Sequence, residues 1–426
     1  MSTKKRLVTN FLSLASVQGL NFILPLVTLP YLLQTVGPSK FGLISFAQAF
    51  IQYFILFTDY GFNLVATRDI SLARDNKQRL STIFSTVMLI RTLLLMVSFI
   101  LLIILVLLVP KFQGDSVIYF ITFGMVIGNV LFPIWFFQGI EQMKTISILN
   151  VISKGIFTVG IFIFVKDPSQ YLLVPILNTL GSIAIGFIAI YIILTRYQIR
   201  FIRPSIPDIK NQLKEGWHIF VSNVVTSLYT TSNIFILGFF ASNTIVGYYS
   251  SAEKVVKAVS SVISPLVQTI YPYLSKALQE SRERALWILN KMFLIITVGM
   301  GLLSLIVGFF AEPLVIIGLG EEYIETIPLL QILAPMPLVL GWANIFGILT
   351  MINFDYKKEL SRIYIAASLF SVVLMILLIP PFREYGTAWI AILTETFATL
   401  LMIVFLWRKG VHVWTPSKNR EEHANG

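Results

Sequence analysis

Long apolar runs recur along this chain, and no other feature limits its fold as much. A helix that crosses a bilayer needs about 20 mostly apolar residues, at about 1.5 Å of rise each through a hydrocarbon layer about 30 Å thick. About twelve stretches fit that template, centred near Phe22, Ile55, Leu95, Met125, Ile156, Ile183, Val225, Ser261, Ile296, Leu338, Val373 and Thr396. Of the 426 residues, 56% are hydrophobic and 12% charged, against about 25% charged in soluble domains. Mean hydropathy is +0.81. The chain reads as an all-α integral membrane protein.

The same composition removes several function classes. There is no cysteine, so no disulfide framework, thiolate metal site or cysteine nucleophile arises, and the three histidines are His218, His412 and His423. A net charge of +11 in a soluble chain would suggest nucleic acid; in one this apolar it belongs to cytoplasmic loops, and no nucleic-acid partner is expected. The N-terminus places Lys4, Lys5 and Arg6 before an apolar stretch, as a secretory signal does. That stretch outruns a signal core, contains Pro25 and Pro30 and lacks a small-x-small cleavage site, so it reads as a retained first span.

Basic residues orient the spans. One set of connections carries Lys4–Arg6, then Arg68, Arg74, Lys77 and Arg79, then Lys144, then Arg196 to Lys214, and later Lys276 to Lys291, Lys357 to Arg362 and Arg408 to Arg420. The alternate set holds only Lys40, Lys111, Lys166 and Arg383. The positive-inside rule makes the first set, and both termini, cytoplasmic.

The longest polar connection, "TRYQIRFIRPSIPDIKNQLKEGW", falls near mid-chain. Ile206, Ile209, Leu213 and Trp217 recur in it at helical spacing, as in an amphipathic helix lying on the inner membrane surface. The expected division is a six-helix lobe over residues 1–195, an amphipathic linker over 196–216, a second six-helix lobe over 217–407 and a cytoplasmic tail over 408–426. "FGLISFAQ" and "VGYYSSAE" share Gly, Ser, Ala and a final Gln/Glu at equal offsets just after the first span of each half. With an even number of spans per half, such a repeat is parallel, and repeat interfaces often house transporter sites.

Charges inside spans are costly, on the order of 3 kcal/mol at mid-bilayer, and survive where they face a bundle interior or water. The candidates are Asp59, Arg91, Lys154, Glu253, Lys254, Lys257 and Glu395. On a helix, Ser250, Glu253, Lys254, Lys257, Ser260, Ser261 and Ser264 gather on one side, with Val255, Val256, Val259 and Ile263 on the other. Glu253 and Lys257 stand at i, i+4 and can pair, leaving Lys254 without a sequence-local partner. Either an anion site or a structural Glu–Lys pair with a snorkelling Lys254 accounts for this pattern. Arg91 either snorkels to the cytoplasmic end of its span or faces a cavity; Lys154, beside Gly155, points to a cavity. Asp59 reads as a partner of Arg68 or a cap at the Gly61 bend. Glu395 reads as a proton carrier or an inter-helix hydrogen bond.

Pro25 and Pro30 suggest a hinge in the first helix, and "PIWFFQG" an aromatic belt at the membrane interface. No phosphate-binding G-x-x-x-x-G-K-[ST] and no H-E-x-x-H occurs, and no outer connection is long enough for a catalytic domain. The chain does not read as an enzyme.

Five segments taken together, "VGPSKFGLISFAQAFIQYFILFTDYGFNLVATRDIS", "PIWFFQGIEQMKTISILN", "VGYYSSAEKVVKAVSS", "QTIYPYLSK" and "GLGEEYIETIPLLQILAPMPLVLGWANIFG", resemble bacterial polysaccharide (O-antigen or capsule) repeat-unit flippases. These belong to the multidrug/oligosaccharidyl-lipid/polysaccharide exporter superfamily, and the match runs in order over nearly the whole chain. The resemblance implies two six-helix lobes in a V around a central cationic cavity, the fold of its drug-exporting (MATE) members, in the bacterial cytoplasmic (inner) membrane. It implies a cargo of undecaprenyl-pyrophosphate-linked oligosaccharide, moved from cytoplasmic to outer leaflet by alternating access for surface polysaccharide and lipopolysaccharide biosynthesis. Membrane lipids are implied partners, as are the polymerase and chain-length proteins of the same pathway. Lys254 and Lys257, within "YYSSAEKVVK", take from it a pyrophosphate-binding role. Arg91 and Lys154 rest on the burial argument alone.

No cofactor is expected, and with no nucleotide motif the energy source is a proton or sodium gradient, carried by Asp59, Glu253 or Glu395, or product removal by polymerisation. Gln18, Asn21, Gln48, Gln52, Asn223 and Tyr229 are available to bind sugars or to hold helices together. A drug antiporter of the same superfamily would use acidic cavity residues, whereas here the span cations outnumber the acids. A peptidoglycan-precursor flippase would carry two further C-terminal helices. A membrane glycosyltransferase or O-antigen polymerase would carry a large outer catalytic loop.

Overall fold

A computed structural model describes residues 3–413, except the side chains of residues 3–23, 25–26 and 228–230. The side chains of Lys4, Lys5, Arg6, Gln18, Asn21 and Tyr229 therefore lie outside the described residues, as does the tail beyond residue 413 with Lys418, Arg420 and His423. All the regular secondary structure among the described residues is helical. The chain forms two compact units, residues 1–227 and 228–426.

The first unit holds α1 (Thr3–Asp59), α2 (Phe62–Leu72), α3 (Lys77–Leu108), α4 (Pro110–Gln113), α5 (Ser116–Leu131), α6 (Ile134–Gly139), α7 (Met143–Phe164), α8 (Leu173–Thr195) and most of α9 (Ile206–Thr230). Leu93, Met96, Val97, Ile100, Ile104 and Leu107 of α3 are exposed at the i, i+3, i+4 spacing of one helical face, the face a lipid tail would cover. On α5, Gly124 and Gly128 let α8 come close: a Cβ on Gly124 would sit 2.2 Å from Thr179 and one on Gly128 2.4 Å from Ser182. Small residues at four-residue spacing are the usual means of close packing between membrane helices.

Three expectations change here. Among the described residues, α1 departs from helical geometry at Gly37 (φ 70, ψ 167), so the break lies at Gly37 and not at Pro30. Trp135, Phe136 and Phe137 form no interfacial belt: all three are fully buried in the core of the unit, packed with Phe62, Ile70 and Phe84. The amphipathic segment does not rest on lipid through Ile209 and Leu213, because both pack on that same core. An apolar face needs a cover, and the spacing alone does not say whether lipid or protein supplies it.

The second unit holds α10 (Ser232–Phe240), α11 (Asn243–Ser260), α12 (Ile263–Glu280), α13 (Arg282–Phe309), α14 (Ala311–Gly318), α15 (Thr326–Leu333), α16 (Met336–Ala343), a π-helical stretch Asn344–Ile352 and α17 (Lys357–Arg408). Its core is built by α12, α13, the π-helical stretch and α17. α17 is a helical hairpin: the backbone leaves helical geometry at Arg383 (φ 43, ψ −118), and Phe370 of one arm stacks on Phe397 of the other at 4.4 Å. A Cβ at Gly386 would lie 2.3 Å from the Leu378 carbonyl oxygen, so the turn needs a residue without a side chain.

Among the described residues, eight helical stretches are long and apolar enough to cross a membrane, nine if α9 and α10 count as one span. The difference from about twelve has three physical sources. α1 and α17, of 57 and 52 residues, are each interrupted once and long enough for two crossings. The expected eighth span is α11 followed by α12, whose polar residues keep it below the apolarity of its neighbours.

Side-chain contacts tie the connections at each end of the two units. In the first unit Lys77 donates to Gln198 at 2.8 Å and Arg74 to Glu141 at 2.8 Å. At the other end Lys40 lies 4.3 Å from the Tyr171 ring and Lys166 5.7 Å from Tyr31. In the second unit Asn290 bonds the Val413 carbonyl at 3.0 Å, while Tyr248 and Tyr323 meet at 6.3 Å at the far end.

Candidate functional site

α11 starts at Ser242, whose hydroxyl accepts from the Ile245 backbone N–H at 3.4 Å. One turn from its end, Lys257 Nζ lies 3.0 Å from Glu253 Oε2, with the lysine side chain 58% exposed and the glutamate 13%. Lys254 is half-buried beside them, attracted by Glu253 and repelled by Lys257. The serines of the expected polar face behave differently. Ser250 and Ser260 are buried and donate to Val246 and Val256 carbonyls of their own helix, each at 2.7 Å. Short hydroxyls can satisfy themselves on the backbone, so they need no wet surface. Lys257 does.

Charge in the first unit is arranged in the opposite way. Arg91 of α3 has a side chain 1% exposed and 4.0 Å from Asp59. Its Nη2 donates to Asn129 Oδ1 at 2.6 Å and to the Asn129 carbonyl at 3.1 Å. It does not snorkel. Asp59 sits where α1 ends, ahead of Tyr60 and Gly61, both at positive φ. Arg68 is not its partner: that guanidinium pairs with Asp69 at 2.9 Å and with Glu215 of α9. Arg91 Nε and Nη1 and Asp59 Oδ1 are buried without a hydrogen-bond partner among the described residues.

Lys154 is half-buried on α7, one turn before Thr158, whose hydroxyl meets that of Thr28 on α1 at 2.9 Å. A Cβ on the neighbouring Gly155 would meet nothing within 4 Å. Glu395 is half-buried on the second arm of α17 and close enough to act on Tyr364 of the first arm. The fold thus joins Asp59 with Arg91, and Glu253 with Lys254 and Lys257. Lys154 belongs to the first unit and Glu395 to the second.

Two features escaped the sequence. Asn129 holds Arg91, and a lone Asn in an apolar run gives no sign of its partner. A polar cavity of about 670 Å³ lies at the basic end of the first unit, lined by Arg68, Asp69, Arg79, Gln212 and Glu215 among others. Gln212, which is buried, crosses its floor to Asp69 at 2.7 Å. Among the described residues, no group of three His, Asp or Glu is placed to hold a metal ion.

What this arrangement offers chemically is a pair of ammonium groups on one helix, one of them open to a phosphate or carboxylate. Known proteins match the chain closely. Residues 7–278 match the family described as "Polysaccharide biosynthesis protein". A protein of Escherichia coli (strain K12) described as "Putative O-antigen transporter" is 35% identical over 407 residues, 95% of this chain and 98% of that protein. Among solved structures, the lipid II flippase MurJ in an inward closed conformation superposes with a TM-score of 0.74 at 17% identity, over 92% of this chain and 87% of that one. An inward-facing multidrug resistance MATE family transporter gives 0.67 at 12% identity, over 91% and 94%. These two likenesses show the fold, which is MATE-like.

Proposed function

The chain belongs to the polysaccharide biosynthesis protein family, and on that premise we propose that it is a flippase for a lipid-linked oligosaccharide. The cargo is an O-antigen or capsular repeat unit on undecaprenyl pyrophosphate, passed from the cytoplasmic to the outer leaflet by alternating access. The chain is a multi-pass membrane protein and a transporter rather than an enzyme. Both termini lie in the cytoplasm, as the basic connections require.

The observation that carries this reading is Lys257, exposed in a helix whose neighbours are spans, with Lys254 beside it. A cation kept at such a place needs a wet cavity or an anion. A pyrophosphate brings several anionic oxygens to two ammonium donors, and charge-assisted bonds of this kind are the strong ones. Arg91 and Lys154 have weaker claims to substrate, since Arg91 is held by Asp59 and Asn129.

Resetting the cavity draws on a proton or sodium gradient. Of the three candidate carriers, Asp59 and Glu253 have cations at 4.0 and 3.0 Å. Among the described residues Glu395 forms no such ion pair, which makes it the carboxylate best suited to exchange a proton. Polymerase and chain-length proteins are the natural acceptors on the outer face.

The test is complementation of a flippase-deficient strain, following surface polysaccharide and protein level together. Losing one charge-assisted bond, about 1.5–3 kcal/mol, weakens binding about ten- to a hundredfold. Lys254→Ala is therefore expected to lower export by about that factor at normal protein level, with Lys254→Arg retaining part of it. Normal polysaccharide from Lys254→Ala at normal protein level would remove the anion site from the account.

A further inference from the structure

α12 carries a polar face where a span should be apolar. One side of the helix, Ile263, Val267, Leu274 and Ala277, is buried in the core of the second unit. On the other side Gln268, Thr269, Pro272, Tyr273 and Lys276 are exposed, at the i, i+3, i+4 spacing of a single face. The face begins one turn earlier at exposed Pro265 and covers about 16 Å of helix to Lys276. Pro272 lies inside the helix and has no N–H, so the Gln268 carbonyl lacks its helical donor and remains available on this side.

Lipid does not suit this face. Tyr273, 51% exposed, and Lys276 would be at ease at a membrane interface on their own. The side-chain and backbone carbonyls of Gln268 lie about 12 Å further along the helix from Lys276, where hydrocarbon would leave them unsatisfied. The Thr269 hydroxyl donates to the Pro265 carbonyl at 2.8 Å and the Gln268 amide nitrogen to the Ser264 hydroxyl at 3.1 Å, which leaves the Gln268 carbonyl groups as outward acceptors.

We propose that the exposed face of α12 is the glycan track of the transporter, binding the uncharged sugars of the lipid-linked substrate while Lys257 holds its pyrophosphate. The charge pattern fits one such molecule. A cation meets the anionic linker, and amide, hydroxyl, carbonyl and phenol groups meet sugar hydroxyls. The open Tyr273 ring offers an apolar face with a polar tip to a sugar ring. The track runs from Lys257 towards Lys276 at the basic end, the side from which the substrate is loaded. This inference rests on the flippase reading and adds the site of its sugar moiety.

Gln268→Leu and Tyr273→Leu test it in the complementation strain, because leucine is the better residue wherever lipid is the neighbour. Each is expected to lower surface polysaccharide about tenfold, as for one lost hydrogen bond or ring contact, at wild-type protein level. Undiminished polysaccharide would overturn the track, and so would a fall in protein level that accounts for the loss. The chain has no cysteine, so Gln268→Cys gives a single thiol for a membrane-impermeant maleimide. Labelling is expected, and at least threefold less of it in cells making the lipid-linked glycan than in cells unable to load the lipid carrier. No labelling, or equal labelling in both, would overturn the proposal. Failure of the wild-type chain to restore polysaccharide would instead sink the flippase reading, so the two failures are distinguishable.

Discussion

Arg91 and Lys257 are both cations in helices that sit among spans, yet the fold treats them as opposites. Arg91 is 1% exposed, with Asp59 and Asn129 around it; Lys257 is 58% exposed, with a partner on its own helix. A guanidinium that is buried and balanced by residues from two other helices ties those helices together. An ammonium held by a neighbour one turn away constrains nothing beyond that turn and stays available to a ligand. Charge in an apolar segment therefore marks two different things, and its partner's position in the chain distinguishes them.

The largest expected effect comes from unbalancing the buried set. Asp59→Ala leaves Arg91 as an uncompensated buried charge, at a cost of about 3–5 kcal/mol. Thermal unfolding in detergent is expected to shift down sharply, and Asp59→Ala with Arg91→Met to recover much of the loss. Unchanged stability in the single variant would break the comparison, because Arg91 would then be reaching water.

Asn129→Leu comes next. It removes the amide oxygen that Arg91 uses at 2.6 Å and leaves the backbone carbonyl in place, so about 1–3 kcal/mol is expected. An effect as large as that of Asp59→Ala would shift the weight of the cluster from charge balance to hydrogen bonding.

At Lys257 the expectation reverses. Lys257→Gln should alter stability by less than about 1 kcal/mol, as for exposed ion pairs, while export falls about tenfold or more with the lost phosphate contact. A variant that lost stability and export together would place Lys257 with Arg91 among structural charges.

Glu253→Gln is the smallest. Breaking an i, i+4 pair on a helix costs about 0.2–0.5 kcal/mol, and Lys257 keeps its charge, so protein level and anion binding should both persist. Export that became insensitive to the proton gradient in proteoliposomes would sharpen the picture differently, giving Glu253 and not Glu395 the coupling role.

What depends on local pattern was legible in the amino-acid order. Runs of apolar residues long enough for a bilayer, the segregation of basic residues between alternate connections, the family motifs and the Glu253–Lys257 pair are all legible because each involves residues close in the chain or a property summed over a stretch. What covers each face was settled by packing. "PIWFFQG" looks the same whether lipid or Phe84 lies against Trp135, and the core took it. Ile209 and Leu213 keep the same spacing on a membrane surface as on a protein core. Ser250 and Ser260 look like a wet face but turn onto their own backbone, while the exposed polar face of α12 was hidden in a stretch counted as part of one span. The Arg91 partners stand 32 and 38 residues away, on other helices. Periodicity reports that two faces of a helix differ; which neighbour each face meets is settled by packing between distant segments, and burial, not residue type, sets whether a charge must be paired or is left open for a ligand.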